Sequence, residues 1–314
     1  MNTPHVSVII CTKNRAKDLA ECLRSLKKQT VAIDEIIIIN NLSTDETPDV
    51  LMHYKKQFKN RLHWVRERRA AYPIVYNRGL KEARCDWVAF IDDDCVASPN
   101  WYAAIKKSVV SFRHPAAILG ATRPCHPQNA YSLATYIFHT EWKENNSAGD
   151  AIVNLEILDN KNIVYHRRFL RRHHLAYDEN RKNILHGAGE DADLGLQIQQ
   201  AGGKAMYNRK ILVYHKEPET MRHYWRKYFC SLAAYEYFKT KWANFHVLPG
   251  ARIHFRNLAG NIANEYNYSF IKKIQLFTLL YTTVIISIFL HYFLRFPGMT
   301  EYFISAVDSY EKRT

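Results

Sequence analysis

The chain has 314 residues, a formal net charge of +14 and a pI near 9.4. Hydrophobic residues make up 47% and aromatic residues 13%, which excludes a mainly disordered chain and fits one large α/β domain or two smaller ones. The basic balance points to anionic partners, namely nucleic acid, a nucleotide or an acidic membrane surface. No Cys-x-x-Cys pair occurs among the six cysteines, so a zinc site finds no support, and cysteines in apolar runs suit a reducing compartment. No signal peptide is read between Met1 and Pro4.

His5 to Cys11 is β-branched and apolar and predicts a buried parallel strand, followed by the polar turn Thr12-Lys13-Asn14-Arg15. Leu19, Cys22, Leu23 and Leu26 recur on one face of the helix that follows. Glu35 to Ile39 predicts a second strand, ending in Asn40-Asn41-Leu42-Ser43-Thr44-Asp45-Glu46, where Ser43 and Glu46 have capping-box spacing for the next helix. A third strand is expected near Leu62 to Val65, then a helix carrying Tyr76, Leu80 and Ala83. The apolar run Trp87 to Ile91 reads as a fourth strand that stops abruptly at Asp92-Asp93-Asp94. Strands alternating with helices mean βαβ units and a parallel sheet, and such sheets bind ligands beyond the carboxyl ends of their strands. The three polar loops therefore share one crevice. Three adjacent acids repel one another, and a hard cation with a diphosphate would relieve that repulsion. A plain polar turn, with Ser98-Pro99 opening the next helix, accounts for the same residues.

Ala116 to Ala121 predicts a further strand in which Gly120 allows close backbone approach. Strand pieces are expected around Ile157 and Ile163. The run Arg167-Arg168-Phe169-Leu170-Arg171-Arg172-His173-His174 reads as a solvated helix face or as a contact for phosphates. Gly187-Ala188-Gly189-Glu190-Asp191-Ala192-Asp193-Leu194 opens a helix whose apolar face is Leu194, Ile198 and Ala201 and which Gly202-Gly203 ends. Acids in a first helical turn follow from the helix dipole alone, but they also suit a general base facing the crevice. Ala205 to Tyr207 and Ile211 to Tyr214 read as two short strands leading to His215, a metal ligand only if the fold brings it to Asp94.

Met221 to Trp242 predicts a long basic, aromatic helix, either interfacial or packed with snorkelling cations. A basic patch of Arg252, His254 and Arg256 follows. Residues 274–294 are almost wholly apolar and long enough to span a bilayer, with Lys272 and Lys273 before them and Arg295 after. A span, a monotopic dip and a helix at an oligomer interface all fit, and positive-inside charge keeps the preceding bulk cytoplasmic.

These residues together resemble a family-2 glycosyltransferase with a GT-A fold, over roughly residues 5–220. The opening strand and turn match Val6 to Arg15, the nucleotide loop Asn40 to Thr47, the Asp-x-Asp metal motif Asp92-Asp93-Asp94, and the Glu-Asp motif Gly189 to Leu194. The resemblance implies a Rossmann-like, mixed, mainly parallel sheet flanked by helices. It implies a catalytic domain over 1–220; composition and hydropathy make 221–314 a basic, aromatic helical region expected to associate with membrane through the candidate helix 274–294. Thr12, Asn14 and Arg15 would line the nucleotide-sugar pocket, with Asn40, Asp45, Asp92 and Asp93. Asp94 and Asp92, with His215, would ligate Mg²⁺ or Mn²⁺. Asp191 would be the catalytic base, supported by Glu190. The implied reaction is inverting transfer of one sugar from a nucleotide-sugar, a UDP-sugar above others, to a glycan or lipid-linked acceptor at the cytoplasmic face of the cell inner membrane.

Asn40 stands where the family usually has Asp, and Tyr76-Asn77-Arg78-Gly79 displaces the family's arginine. The Gln-x-x-Arg-Trp motif of processive synthases is missing, which favours single transfer over polymerisation. Two other readings share the fold. A sugar-phosphate nucleotidyltransferase would need a glycine-rich first loop, which Thr12 to Arg15 lacks. A non-catalytic nucleotide-sugar-binding protein would not need Asp92, Asp94 and Asp191. No nucleic-acid module is recognised, so nucleic acid is not an expected partner.

Overall fold

A computed structural model of the chain describes residues 4–112, 115–141, 147–148, 151–152, 155–180, 189–242, 255–294 and parts of 296–307. Gly187, Ala188, Arg252 and His254 lie outside the described residues. Two compact units emerge. One is drawn from Met1–Arg123, Glu144–Asn183 and Glu190–His215, the other from Pro124–Lys143, Ile184–Gly189 and Lys216–Thr314.

The first unit is built on one mixed sheet. Strands β1 (Val6–Thr12), β2 (Glu35–Asn40), β3 (Leu62–Arg66) and β4 (Trp87–Ile91) run parallel in the order β3-β2-β1-β4. Helices α1 (Ala16–Lys27), α2 (Thr47–Phe58) and α3 (Tyr72–Glu82) make the crossovers. All four isoleucines of β2 are fully buried, as a strand covered on both faces requires. Each contributes about 1.5–3 kcal/mol by leaving water. The face of α1 expected from its spacing, Leu19, Cys22, Leu23 and Leu26, packs into the same core.

Beyond β4 the direction changes. Strand β5 (Cys95–Ala97) follows the acidic turn, then α4 (Trp101–Ser111) and β6 (Ala117–Pro124). Short strands β7 (Ser147–Ala148) and β8 (Ala151–Ile152) precede β9 (Asn162–His166). Helix α5 (Ala130–Tyr136) belongs to the second unit, while α6 (Arg167–Arg172), α7 (Glu190–Gln200) and β10 (Ala205–His215) complete the first. β9 inserts antiparallel between β4 and β6, and β10 pairs antiparallel with β5 and β8. A side chain at Gly120 has no room: its Cβ would lie 2.3 Å from Asn162 Nδ2 and 2.5 Å from the Ile211 carbonyl. That space is taken by the Asn162 amide, which donates to the Ala121 and Ile211 carbonyls at 2.7 Å each and accepts from Trp101 Nε1 at 2.8 Å.

Four local expectations are corrected. Ser43 and Glu46 form no capping box; Asp45 accepts instead from Thr47 N at 3.1 Å and Thr47 Oγ1 at 2.6 Å. Ser98-Pro99 does not supply the N-cap and first residue of the next helix; Asn100 is the N-cap and α4 begins at Trp101. Ile157 lies in a 3₁₀ turn, Leu155–Ile157, rather than a strand. The two short strands before His215 are one continuous strand, because the polar Asn208 to Lys210 stretch stays extended in β10. The basic run forms α6, with Arg168, Arg171 and Arg172 exposed.

The second unit packs α5 against α8 (Met221–Lys241), α9 (Phe255–Glu265) and α10 (Phe270–Phe293). Leu276 and Leu280 of α10 join Leu133, Tyr136 and Tyr224 in its core. Thr283 and Ser287 of α10 turn inward, while Gln275, Thr278 and Thr282 are exposed. Thr283 Oγ1 meets the Tyr224 hydroxyl at 2.7 Å, and Ser287 pairs with the Tyr228 hydroxyl. Its outward face carries Ile271, Ile274, Ile285, Ile288 and Phe289 in water-accessible positions. Phe270–Leu290, with a mean hydropathy of 1.7, is long and apolar enough to cross a membrane.

Candidate active site

The loops after β1 and β2 lock together through the residues singled out in sequence. Asn14 adopts a left-handed φ of 53°, which Asn tolerates better than most residues. Its N–H donates to Ser43 Oγ at 3.0 Å, and its Oδ1 accepts from Thr44 N at 2.7 Å. Asn40 Oδ1 accepts from Ser43 N at 2.9 Å. Asp45 reaches across to cap α1, its Oδ2 accepting from Ala16 N at 2.9 Å. Partial burial pushes this carboxyl up, but bonds from Thr47 and Ala16 outweigh it and hold Asp45 below the usual range. Thr12 is buried at the end of β1. Asn14, Asn40 and Asp45 thus build one polar rim, each with an acceptor oxygen engaged in it.

Below that rim lies the acidic triplet. Burial pushes the Asp92 carboxyl up to about 7, and the charge of Asp94 adds to the effect. Burial likewise lifts Asp93 to about 7 against the pull of Arg15. The Arg15 guanidinium donates to Asp93 Oδ1 at 3.2 Å and also pairs with Asp94 Oδ2. The neighbouring charge of Asp94 raises the pKa of Arg15. The buried His215, last residue of β10, brings Nε2 to 3.2 Å from Asp94 Oδ1. The antiparallel pairing of His215 with Cys95 enforces that approach.

The donor set suits a hard divalent cation. Ligand atoms of Asp94, Cys95 and His215 lie within 4.8 Å of one another. Cys95 is fully buried, its Sγ donates to the Lys161 carbonyl at 3.7 Å, and burial pushes its thiol well up, so it stays a protonated packing group. Carboxylate oxygens and one imidazole remain, the donors that Mg²⁺ and Mn²⁺ accept. Crowded carboxyls lifted toward neutrality mark a place where added positive charge is favourable.

Glu190 and Asp191 open α7. Glu190 is buried and Asp191 partly so. Asp191 Oδ1 accepts from Ala192 N at 2.8 Å, and Oδ2 accepts from Asn160 N at 3.4 Å. Burial raises the phenol of the buried Tyr76 well above the usual value, and the charges of Asp92 and Glu190 both add.

One loop at this site was not singled out in sequence. Ile91 pairs with Asn162 at the end of the β4–β9 register, so the turn before β9 adjoins the acidic turn after β4, and the charge of Lys161 acts on Asp92. Lys161 is buried and pairs with Asp159 at 3.0 Å. Its signal was present as Asp159-Asn160-Lys161-Asn162 ahead of an apolar run. Parallel-sheet reasoning looks for polar residues after a strand, whereas an antiparallel strand delivers those before it.

The model of glycosyl transferase family 2 matches residues 7–176. The chain is 36% identical over 101 residues to the glycosyltransferase EpsH of Bacillus subtilis, covering 32% of this chain and 29% of that protein. It is 32% identical over 110 residues to the poly(ribitol-phosphate) beta-glucosyltransferase of Bacillus spizizenii, covering 33% of this chain and 17% of that one. The chain therefore aligns with less than a third of each of these two relatives. In fold it is similar to the mannosyltransferase PcManGT of Pyrobaculum calidifontis, in complex with GDP-Man and Mn²⁺, with a TM-score of 0.59, 15% identity and coverage of 98% of this chain and 86% of that one. S. aureus TarS in complex with UDP-GlcNAc gives a TM-score of 0.54 at 16% identity over 89% of this chain and 71% of that one. The family match takes in more than half of the chain, along the stretch that carries the first polar rim, the acidic triplet and the Asn160 loop, and the chain belongs to glycosyl transferase family 2.

Proposed function

We propose that the protein transfers one sugar from a nucleotide-sugar to a glycan or lipid-linked acceptor with inversion at the anomeric carbon. The observation that carries this reading is the meeting of Asp94 and His215 beside buried, charge-starved carboxyls, below a rim built from two polar loops. The interlocked loops of Asn14, Asn40 and Asp45, with Thr12 and Arg15, form the nucleotide side. Asp94, Asp92 and His215 would hold Mg²⁺ or Mn²⁺, and that cation, when bound, neutralises charge on the leaving diphosphate. Asp191 takes the proton from the acceptor hydroxyl, with Glu190 beside it. The acceptor oxygen forms its bond to the anomeric carbon as the bond to the diphosphate oxygen breaks with its electron pair. Neighbours of the same fold bind GDP-Man and UDP-GlcNAc, which supports a nucleotide-sugar donor and leaves the base open between them.

A screen of nucleotide-sugars by thermal unfolding tests the reading. At 100-fold saturation a donor stabilises by about 2.7 kcal/mol, a shift of about 5–10 °C for a domain of this size. The shift should need Mn²⁺ or Mg²⁺. No stabilisation by any nucleotide-sugar, or equal stabilisation in chelator, would sink the proposal.

The acceptor side of the reading includes an anionic membrane surface at the cytoplasmic face. Its support is the exposed row of Ile271, Ile274, Ile285, Ile288 and Phe289 on α10, a helix whose Thr283 is paired inward, on a chain of net charge +14. Full-length protein should sediment with anionic phospholipid vesicles. Replacing Ile285 and Phe289 together by Lys removes about 3–6 kcal/mol of apolar burial, so vesicle affinity should drop at least about 100-fold. Unchanged sedimentation of that variant would discard this surface as the lipid contact.

A further inference from the structure

Asn160 is the least expected residue near the proposed base. It lies in the turn before β9 and is 3% exposed. Its Oδ1 accepts two hydroxyls, from Tyr177 at 2.8 Å and from Tyr165 at 3.3 Å, both on buried rings. Its Nδ2 is buried and has no hydrogen-bond partner among the described residues. Leaving a buried amide donor unsatisfied is costly. A side chain selected only to fill that space would not carry the amide, so the cost points to what the rest of the residue does.

Its backbone N–H donates to Asp191 Oδ2 at 3.4 Å, while Ala192 N holds Oδ1 at 2.8 Å. Tyr177 is itself fixed at both ends of its peptide group. Its N–H donates to Asn77 Oδ1 at 3.0 Å, and its carbonyl accepts from Asn77 Nδ2 at 2.8 Å. A continuous set of hydrogen bonds therefore runs from α3 through Tyr177 and Asn160 to the carboxylate of Asp191. The two bonds at the Asn160 side chain are buried and fix its geometry tightly, because water cannot substitute for a lost partner there.

We propose that Asn160, clamped by the Tyr177 and Tyr165 hydroxyls, is a positioning residue for Asp191. Its amide side chain anchors the turn, and its backbone N–H orients the carboxylate toward the acceptor. This rests on the reading of Asp191 as the base. The 2.8 Å bond makes Tyr177 the stronger clamp and Tyr165 the weaker. Donor binding lies with other residues, so the clamp acts on turnover and leaves donor affinity alone.

The test uses the full chain with Mn²⁺ and a donor identified by the screen above, under steady-state conditions with the donor concentration varied. Tyr177→Phe keeps the ring and removes the hydroxyl. It should lower kcat about tenfold, keep the donor KM within about twofold and unfold at a temperature near the parent's. Tyr165→Phe should show the same split with a smaller loss. In an Asp191→Asn background, Tyr177→Phe should cost nothing further, because its effect passes through the carboxylate. An unchanged kcat in both tyrosine variants overturns the proposal. So does a loss of the same size in the Asp191→Asn background, which would mean a merely structural role. Parental turnover in Asp191→Asn alone removes the base itself and the proposal with it, a result distinct from failure of the clamp.

Discussion

Asp191→Asn is expected to lower kcat about 10³-fold while leaving donor affinity within about twofold, the range in which a positioned general base contributes being about 10²–10⁴. Asn keeps the size of the side chain and an oxygen that can accept from Ala192 N or Asn160 N, so the start of α7 should survive. What is lost is the capacity to take a proton from the acceptor hydroxyl. Asp191 stands in the first turn of α7, where the helix dipole favours the ionised carboxylate that a base needs. Two backbone N–H groups donate to it, which favours the same form. Transfer is measured with acceptor and saturating donor, and thermal unfolding confirms the fold. Near-parental transfer would remove Asp191 from the mechanism, and Glu190 would then have to be tested in its place.

The second large effect is expected at Asp94. Asp94→Asn should lower transfer about 10²–10⁴-fold, the equivalent of the several kcal/mol that stabilisation of the leaving charge supplies. It should also abolish the Mn²⁺-dependent part of donor stabilisation. The ligand-free variant should unfold close to the parent. Arg15, half-exposed, loses one partner but keeps Asp93, and an ion pair near the surface is worth about 0–1 kcal/mol. Burial lifts Asp92 and Asp93, and removing the charge of Asp94 relieves the repulsion that adds to that effect. The variant is therefore a clean probe of the cation site. Full transfer by Asp94→Asn, or by the parent in excess chelator, would overturn the assigned ligands.

These two proposed site residues were marked by different signals, and the difference explains what could be foreseen. Asp94 ends a run of buried residues whose burial on both faces is written in their side chains. The parallel half of the sheet follows from such runs, because only a strand covered by helices on both sides tolerates Val8-Ile9-Ile10 or Ile36 to Ile39. Once that half is parallel, the ends of β1, β2 and β4 must share an edge. Asp191 was legible from a different signal, acids at a helix start after glycine, and its neighbours were not.

What the amino-acid sequence determined by itself was therefore local and periodic: buried strands, the apolar face of α1, the close approach at Gly120, the stop of α7 at Gly202, and the apolar composition of α10. Gly202 takes a φ of 75°, a conformation that costs glycine little. Only the tertiary structure decided the rest. Insertion of β9 against the direction of β4 brought Asn160 and Lys161 to the crevice, and no periodicity encodes a strand's direction. Asp45 took over the cap expected from Ser43 because a second helix start, at Ala16, lay within reach of the same carboxylate. The outward turn of Ile285 and Phe289 on α10 was decided by the tyrosines of α8, which give Thr283 and Ser287 partners on the inner side. In each case the deciding partner lies far along the chain, where spacing alone carries no information.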